Sequence, residues 1–295
     1  MAKPSERTDG EKEFEFNHRD FDRVRELIYR RAGISLSESK QEMVYSRLAR
    51  RLRATGINSF ATYLNMLERE VDSQEWESFT NALTTNLTSF FREEHHFPIL
   101  AEHVRKKHGA LRIWCSASST GEEPYSIAMT VCEALGTMTP HLQVIATDID
   151  TNVLATAARG VYSLDRVEKM SAERVRKFFL KGKGRNEGSV MVRPELRELV
   201  TFEPLNLLDD RWPIQGEFDA IFCRNVMIYF DKPTQAAILK KFVPLMRPDA
   251  LLFAGHSENF LYVSNDLKLR GKTVYVLASA EEKQKKMNSH DLNKG

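Results

Sequence analysis

The sequence of 295 residues has few cysteines and no long apolar run. Its three cysteines, Cys115, Cys132 and Cys223, lie within short apolar runs and have no paired spacing. Such cysteines are typical of reduced core thiols, so we expect a cytoplasmic protein without disulfides. No apolar segment approaches the roughly 20 residues that cross a bilayer. The polar N-terminal residues do not resemble a signal peptide. We therefore expect no membrane insertion.

A strong charge imbalance and a metal-ligand pattern are also missing. The formal net charge is only +2, which does not favour nucleic acid as a partner. Four neighbouring histidines lack the i, i+4 spacing of a metal-binding helix, and we expect no metal site. These histidines are His95, His96, His103 and His108. Basic residues nevertheless outnumber acidic ones between Arg19 and Arg53, which predicts either an acidic partner or a solvated helix surface.

The most informative segment runs from Leu111 to Leu135. It begins with a short apolar run that predicts a buried strand, and small residues follow from Ser116 to Gly121. Small residues let the backbone approach a ligand closely. An amphipathic helix is predicted from Glu122, because acids and an early proline suit a first helical turn. This order of strand, tight turn and helix predicts the first unit of a doubly wound α/β nucleotide-binding sheet.

The acids around this loop indicate the class of ligand. The next apolar run ends at Asp148, where a carboxylate can accept hydrogen bonds from ribose hydroxyls. The loop has a single glycine and carries Glu122 and Glu123 where a pyrophosphate would need free amides or positive potential. These features argue against NAD and favour a cationic nucleoside such as S-adenosylmethionine. A strand, loop and helix that bind no ligand remain the alternative.

The hydrophobic patterns along the chain predict two domains. Residues 1–15 and 281–295 are polar and predicted to be disordered. Four amphipathic helical patterns predict an all-α domain over residues 16–85, and strands and helices alternate through residues 86–280. Residues 160–200 interrupt this alternation and predict an inserted basic β-hairpin, with small antiparallel strands at Val190–Val192 and Leu199–Phe202. A closing antiparallel pair on a mostly parallel sheet is typical of methyltransferases rather than dehydrogenases.

Four motifs in the same order resemble those of the chemotaxis-receptor methyltransferases, the CheR family. They are TSFFR, CSASSTGEEPYSIAM, ATDID and CRNVMIYFD, which begin at Thr88, Cys115, Ala146 and Cys223. The resemblance extends from about residue 20 to residue 280, and its one local departure is serine at three loop positions that often hold alanine or glycine. It implies a Rossmann-like domain with an N-terminal all-α domain and a small antiparallel β insertion. It also implies an enzyme that esterifies glutamate side chains of receptors and releases S-adenosylhomocysteine.

The resemblance assigns roles to individual side chains. Those expected to contact the cofactor are Asn86, Thr88, Arg92, Glu123, Asp148, Asn206, Leu207, Arg224 and Asn225. Glu123 would bind the methionyl ammonium and Asp148 the ribose, and Asn206 with Leu207 would frame the adenine. Arg92 and Tyr229 are expected at the methyl-transfer site. Because a glutamate carboxylate is already ionised at neutral pH, methyl transfer needs no general base and depends on alignment.

Two surfaces are expected to meet the receptor. Lys40, Arg47 and Arg51 share one ridge of a predicted helix, with Arg53 nearby, and would approach the acidic methylation region of the cytoplasmic receptor helices. The inserted hairpin resembles the docking subdomain of the family, which would bind a receptor C-terminal peptide by strand addition. Nothing in the sequence demands more than a monomer.

Two other functions remain open at this point. An RNA methyltransferase could use the basic helices, although the near-neutral charge and the absence of an RNA-reading motif argue against it. A non-catalytic adaptor could bind receptors and keep only the cofactor fold. Transfer of label from S-adenosylmethionine to receptor or to RNA distinguishes these possibilities.

Overall fold

The computed structural model describes residues 12–70 and 73–279. The chain forms two compact units, with the division between residues 84 and 85. The disorder predicted for residues 281–295 lies outside the described residues, as does most of the segment 1–15. Residues 12–15 are described and are anchored, because Lys12 pairs with Glu42 and Glu13 pairs with Arg53. The disorder predicted for the N-terminal segment stays a prediction.

Within its described residues, the N-terminal unit contains four α-helices, as the sequence predicts. They are α1 (His18–Ala32), α2 (Gln41–Thr55), α3 (Phe60–Arg69) and α4 (Gln74–Leu83). Local sequence sets the ends of these helices. Asn17 and Asp20 form a reciprocal capping box at the start of α1, and the Ser59 hydroxyl caps α3. Gly56 ends α2 in the left-handed conformation that glycine adopts without strain. The apolar faces of the helices, including Leu48, supply the core of this unit.

An ion pair within this unit joins α2 to α4. Arg51 donates from two guanidinium nitrogens to the carboxylate of Glu75, over 2.9 and 2.6 Å. The Tyr63 hydroxyl donates to the same carboxylate over 2.7 Å. Arg51 and Glu75 are 28% and 14% exposed, so water screens their pairing only in part. The pair therefore ties the two helices together.

The second unit contains ten strands and six α-helices within the described residues. The strands are β1 (Leu111–Cys115), β2 (Leu142–Asp148), β3 (Val161–Ser163), β4 (Phe179–Lys181), β5 (Ser189–Val192), β6 (Val200–Pro204), β7 (Phe218–Cys223), β8 (Met246–Ala254), β9 (Leu267–Gly271) and β10 (Val274–Leu277). The helices are α5 (His96–Arg105), α6 (Glu122–Leu135), α7 (Thr151–Arg159), α8 (Ala172–Phe178), α9 (Pro194–Arg197) and α10 (Lys232–Phe242).

Seven strands form one sheet in the order β6-β2-β1-β7-β8-β10-β9. Strands β6, β2, β1, β7 and β8 are parallel, and β10 is antiparallel to both its neighbours, as predicted. Successive side chains of a strand point to opposite faces of a sheet. Ile113 accordingly packs in one apolar cluster with Val131 of α6, and Trp114 packs in another with Phe242 of α10. The two clusters bury both faces of the sheet.

The insertion after α7 differs in detail from the prediction. It is antiparallel, as expected, but it has three strands in the order β3-β5-β4 instead of a hairpin. The third strand is β4, which contains Phe179 and Leu180 and pairs with β5. Residues 199–202 were expected to be antiparallel, whereas Val200 opens β6, which pairs parallel to β2. An alternating apolar pattern predicts that a segment forms a strand, but tertiary context decides which strand it pairs with.

No helix of residues 12–70 and 73–279 is both long enough and apolar enough to span a membrane.

The ion pair between α2 and α4 predicts a stability effect. Glu75→Gln keeps the size of the side chain but removes the charge that Arg51 and Tyr63 contact. We expect the free energy of unfolding to fall by about 1–3 kcal/mol, because a partly buried guanidinium loses its partner. Urea denaturation measures this change. The control is Arg53→Gln, whose 55% exposed side chain pairs with Glu13 and should contribute less than about 0.5 kcal/mol. Equal effects would contradict the assignment.

Candidate active site

Polar residues collect where four parallel strands end. The small-residue loop follows β1, Asp148 ends β2, Arg224 follows β7, and Gly255 follows β8. Because β1, β2, β7 and β8 are parallel neighbours, their carboxyl ends lie at the same edge of the sheet. The order of strands reverses at β1, and a crevice at such a reversal is the usual ligand site of an open α/β sheet.

The loop after β1 has no room for a side chain at Gly121. Gly121 has φ +98°, and a Cβ atom there would lie 2.7 Å from the Tyr162 hydroxyl and 2.8 Å from Cβ of Ala157. Ser119 has φ +47°, also in the left-handed region. Its N–H donates to Asp148 over 2.8 Å. The loop is thus held tightly against the end of β2.

The carboxylate of Asp148 is oriented by two backbone donors. Ser119 N–H binds Oδ2, and Asp150 N–H binds Oδ1 over 3.0 Å. Each carboxylate oxygen can accept a further hydrogen bond. Burial raises the pKa of Asp148 to about 6, although the backbone donors oppose this shift. Asp148 therefore keeps acceptor capacity for a ligand, and its contact with a ribose diol stays a prediction.

The segment from Asn86 to Arg92 lies against this loop. The Asn86 amide donates to Asp150 over 2.7 Å, and its carbonyl accepts from the Ser119 hydroxyl over 3.0 Å. The Thr88 carbonyl accepts from Arg166 over 2.9 Å, and Arg166 also pairs with the buried Glu122. The predicted cofactor contacts Asn86 and Thr88 are thus brought next to the strand ends.

A buried guanidinium joins two acids at the centre of the site. Arg224 Nη1 lies 2.5 Å from Glu123 Oε2, and Nη2 lies 3.5 Å from Glu93 Oε2. The Arg224 side chain is 1% exposed, and it also donates to the carbonyl of Arg92. The thiol of Cys115 contacts the other Glu123 oxygen at 3.4 Å. Arg224 therefore compensates part of the charge of the two acids and connects the segments that contain them.

The pKa values of the two acids differ. Burial raises the pKa of Glu123, and the charge of Arg224 opposes that effect. Burial acts in the same direction on Glu93, but His256, Arg224 and Asn225 together lower its pKa to about 2. Arg224 is one cation beside Glu123, and a second cation could also bind this carboxylate. The ammonium group of a ligand would then contact Glu123 together with Arg224.

The remaining predicted residues lie near the same edge. Leu205 N–H donates to the Asp148 carbonyl, which brings Asn206 and the buried Leu207 beside the end of β2. Tyr229 lies in a short helical turn after Asn225 and is partly exposed. Arg92 is also partly exposed, and one guanidinium nitrogen donates to the Leu87 carbonyl over 2.8 Å.

Three important residues were missing from the prediction. Glu93 and Arg166 bind other site residues, as described above. Glu258 is buried, and its carboxylate accepts from the N–H groups of the segment after Arg224. Glu258 lies four residues beyond Ala254, the last residue of β8. An acid close to the end of an apolar run is the same sequence pattern that identified Asp148. No comparable pattern marks Arg166, because its partners are distant in sequence.

The site fits S-adenosylmethionine. The buried polar atoms of the described residues that have no hydrogen-bond partner include the Ser118 hydroxyl and Arg224 Nε, and a bound ligand can satisfy such groups. The acids at Asp148 and Glu123 suit a ribose and a cation, and they would repel a pyrophosphate. Several non-glycine residues here have positive φ, a strain that is common at ligand sites. They are Phe91, Glu93, Ser119 and Asn225.

One group of possible metal ligands exists among the described residues. Ligand atoms of Glu93, His95 and His96 lie within 4.8 Å of one another. The guanidinium of Arg224, 3.5 Å from Glu93, would repel a metal ion at this position. The expected absence of a metal remains a prediction.

The predicted ridge of basic residues is less free than the sequence indicated. Arg51 is neutralised by Glu75, and Arg47 donates to the Thr84 carbonyl over 2.5 Å. Both were expected to present their charge to a partner, but each is only partly exposed. Lys40 and Arg53 are exposed. The interior contacts arise because arginine can bury its stem and still reach a carbonyl or a carboxylate.

Comparison with known proteins agrees with this geometry. Residues 86–276 match the family described as "CheR methyltransferase, SAM binding domain". Residues 19–84 match "CheR methyltransferase, all-alpha domain". The chemotaxis protein methyltransferase of Salmonella typhimurium is 56% identical over 258 residues, which cover 88% of this chain and 90% of that protein. Chemotaxis protein methyltransferase 2 of Pseudomonas aeruginosa is 55% identical over 269 residues, which cover 90% and 95%. The chain belongs to the CheR family of S-adenosylmethionine-dependent methyltransferases.

Proposed function

We propose that this enzyme methylates glutamate side chains of chemotaxis receptors and so forms methyl esters for sensory adaptation. The observation that carries the proposal is a pair of acids, Asp148 at the end of β2 and Glu123 in the first turn of α6, in a member of this family. Glu123 also pairs with the buried Arg224. The names of its relatives specify chemotaxis. The near-neutral net charge disfavours RNA as the substrate.

The cofactor supplies a methyl group attached to a positively charged sulfur. Asp148 would accept from the ribose hydroxyls through its remaining lone pairs, and Glu123 would bind the ammonium. Asn206 and Leu207 would frame the adenine. Arg224 would keep Glu123 partly neutralised, so that this acid is not buried as an isolated charge. The other proposed contacts are Asn86, Thr88, Arg92 and Asn225.

Alignment would be the main contribution of the protein to catalysis. Arg92 has five N–H donors, and one of its nitrogens contacts the Leu87 carbonyl. The other donors would orient the receptor carboxylate toward the methyl group, with Tyr229 close by. Charge attraction between carboxylate and sulfonium fades during the transfer, so a guanidinium that bound the carboxylate too tightly would slow the reaction. Orientation would therefore matter more than charge.

We propose two receptor-binding surfaces. In the helical unit, Lys40 and Arg53 would provide the exposed charge of the ridge, and Arg47 and Arg51 would contribute less. The 55% exposed Arg53 would exchange its partner Glu13 for an acidic group of the receptor. In the insertion, β4 is an edge strand, and a cavity of about 860 Å³ beside it is lined by Lys181, among others. A receptor C-terminal peptide would add as a strand there, with its carboxylate near basic side chains. These roles suit a monomeric cytoplasmic enzyme.

The pKa of Asp148 predicts how cofactor binding depends on pH. Ribose hydroxyls donate to the ionised carboxylate, so protonation of Asp148 competes with binding. With a pKa of about 6, affinity should be nearly full at pH 7 and above and fall as the pH drops through 6. We expect S-adenosylhomocysteine to bind roughly tenfold more weakly at pH 5 than at pH 7. Calorimetry at several pH values measures this change.

The matched control is Asp148→Asn, which keeps the size of the side chain but does not titrate. It should bind weakly at pH 7 and show a flatter pH dependence, with any remaining slope due to Glu123. Wild-type affinity that did not change between pH 5 and pH 7 would contradict the role of Asp148.

The function itself predicts the product of a labelling experiment. Incubation with methyl-labelled S-adenosylmethionine and receptor-bearing membranes should label the receptor, and mild base should release the label as methanol. The base sensitivity identifies a methyl ester. Label on added RNA would favour an RNA methyltransferase, and no transfer to either would favour a non-catalytic adaptor.

The exposed part of the ridge predicts a separate effect on receptor binding. Lys40→Glu combined with Arg53→Glu should raise the KM for receptor at least fivefold, because two positive charges facing an acidic partner are reversed. Affinity for S-adenosylhomocysteine should not change. Arg30→Glu, an exposed reversal on α1, serves as the control. An equal rise in KM for the control would remove the assignment of this surface.

A further inference from the structure

The carboxylate of Glu258 binds four backbone N–H groups. Oε2 accepts from Asn225 over 3.0 Å and from Gly255 over 2.5 Å. Oε1 accepts from Val226 over 2.9 Å and from Met227 over 2.8 Å. Glu258 is only 5% exposed. A carboxylate has about four acceptor positions, so these donors fill it.

The filled carboxylate limits what Glu258 can do. It has no acceptor position left for a cofactor or a substrate. Any influence on the reaction must therefore pass through the segment whose N–H groups it holds. Three of those groups belong to successive residues, Asn225 to Met227, and such runs of N–H groups form a concave site for an anion. Glu258 supplies that anion from within the chain.

The segment that Glu258 holds needs an external restraint. Asn225 has φ +57°, a left-handed conformation that is costly for a residue with a side chain. The turn after β8 also approaches this segment closely. A Cβ atom at Gly255 would lie 2.5 Å from Asn225 Nδ2 and 2.9 Å from its backbone nitrogen. The absence of a side chain at Gly255 thus lets the Glu258 carboxylate reach the strained residue.

The same turn also contacts the other segment of the site. His256 Nδ1 lies 3.1 Å from Glu93 Oε1, and Asn225 Nδ2 donates to that oxygen over 3.2 Å. Glu93 follows Arg92 directly in the sequence. The turn from Gly255 to Glu258 is therefore linked to both segments proposed to orient the reacting groups, one with Arg92 and one that extends from Arg224 to Tyr229.

We propose that Glu258 is a positioning residue for methyl transfer. Its carboxylate fixes residues 225–227 and thereby sets the orientation of Arg224, Asn225 and Tyr229 relative to Arg92. This inference rests on the proposed function, because it concerns the geometry of that reaction. A role limited to stability would lower the amount of folded enzyme and leave the turnover of each folded molecule unchanged.

The test compares two neutral substitutions of buried acids attached to the same sheet. Glu258→Gln keeps the shape of the side chain but replaces one acceptor oxygen with an NH₂ group. That group cannot accept hydrogen bonds from the backbone N–H groups that the carboxylate binds. Asp219→Asn removes a carboxylate of equal burial at the opposite end of β7. Asp219 accepts from the Arg112 N–H over 2.9 Å and pairs with Lys107 over 3.3 Å. Both variants should have lower melting temperatures.

Kinetics at saturating cofactor, well below each melting temperature, separate the two roles. We expect Glu258→Gln to lower kcat at least tenfold per folded molecule, because small misplacements of orienting groups slow a transfer strongly. Asp219→Asn should stay within twofold of the wild type. A kcat within twofold for Glu258→Gln would overturn the proposal. If Glu258→Gln does not fold, Glu258→Asp takes its place, and the same two outcomes decide.

A second measurement does not depend on the receptor. In the S-adenosylhomocysteine complex, the amide signals of residues 225–227 should be single and sharp in the wild type and in Asp219→Asn. In Glu258→Gln they should broaden or split, because the segment loses its restraint. Unchanged signals would overturn the positioning role. If the wild-type enzyme labelled no receptor but Glu258→Gln still showed these spectral changes, only the proposed function would be contradicted.

Discussion

The structure of the site depends on one buried guanidinium, that of Arg224. A charge that is out of water must be paired, and Arg224 pairs with Glu123 from helix α6 and Glu93 from the segment before α5. Without it, Glu123 would lie buried with no cation beside it among the described residues, and Glu93 would keep its contact with His256. With it, the charge of Arg224 opposes the rise that burial causes in the pKa of Glu123. The acids of this arrangement attract the positive charge of a cationic nucleoside, and they would repel a phosphate.

Acids at the ends of neighbouring strands perform two different tasks here. Asp148 accepts two backbone N–H groups and keeps lone pairs for a ligand, whereas the carboxylate of Glu258 is filled by four. Both hold strained backbone, at Ser119 and at Asn225. A carboxylate can orient a loop more firmly than a neutral group, because charge-assisted hydrogen bonds are stronger. Acids therefore have two roles in this site: they fix the backbone of its loops, and Asp148 also offers lone pairs to a ligand.

Several predictions differ from the structure for the same physical reason. A local sequence pattern predicts the type of a segment but does not predict which distant segment it will contact. The predicted hairpin is a three-stranded sheet, and residues 199–202 lead into a strand of the main sheet. Arg51 was expected to face a receptor and instead pairs with Glu75, which is 24 positions away. Glu93 and Arg166 were overlooked because their contacts lie far along the chain. Such contacts leave no periodic signal in a single sequence.

The sequence by itself determined the helices of the N-terminal unit, the strand, loop and helix around Gly121, and the closing antiparallel pair, because capping residues and apolar periodicity act locally. Motif order along the chain was also sufficient to indicate the family. Only the tertiary structure decided that Arg224 lies between Glu123 and Glu93 and that Glu258 holds residues 225–227. These contacts exist because parallel strands bring distant segments to one edge of the sheet, where buried charges must find partners.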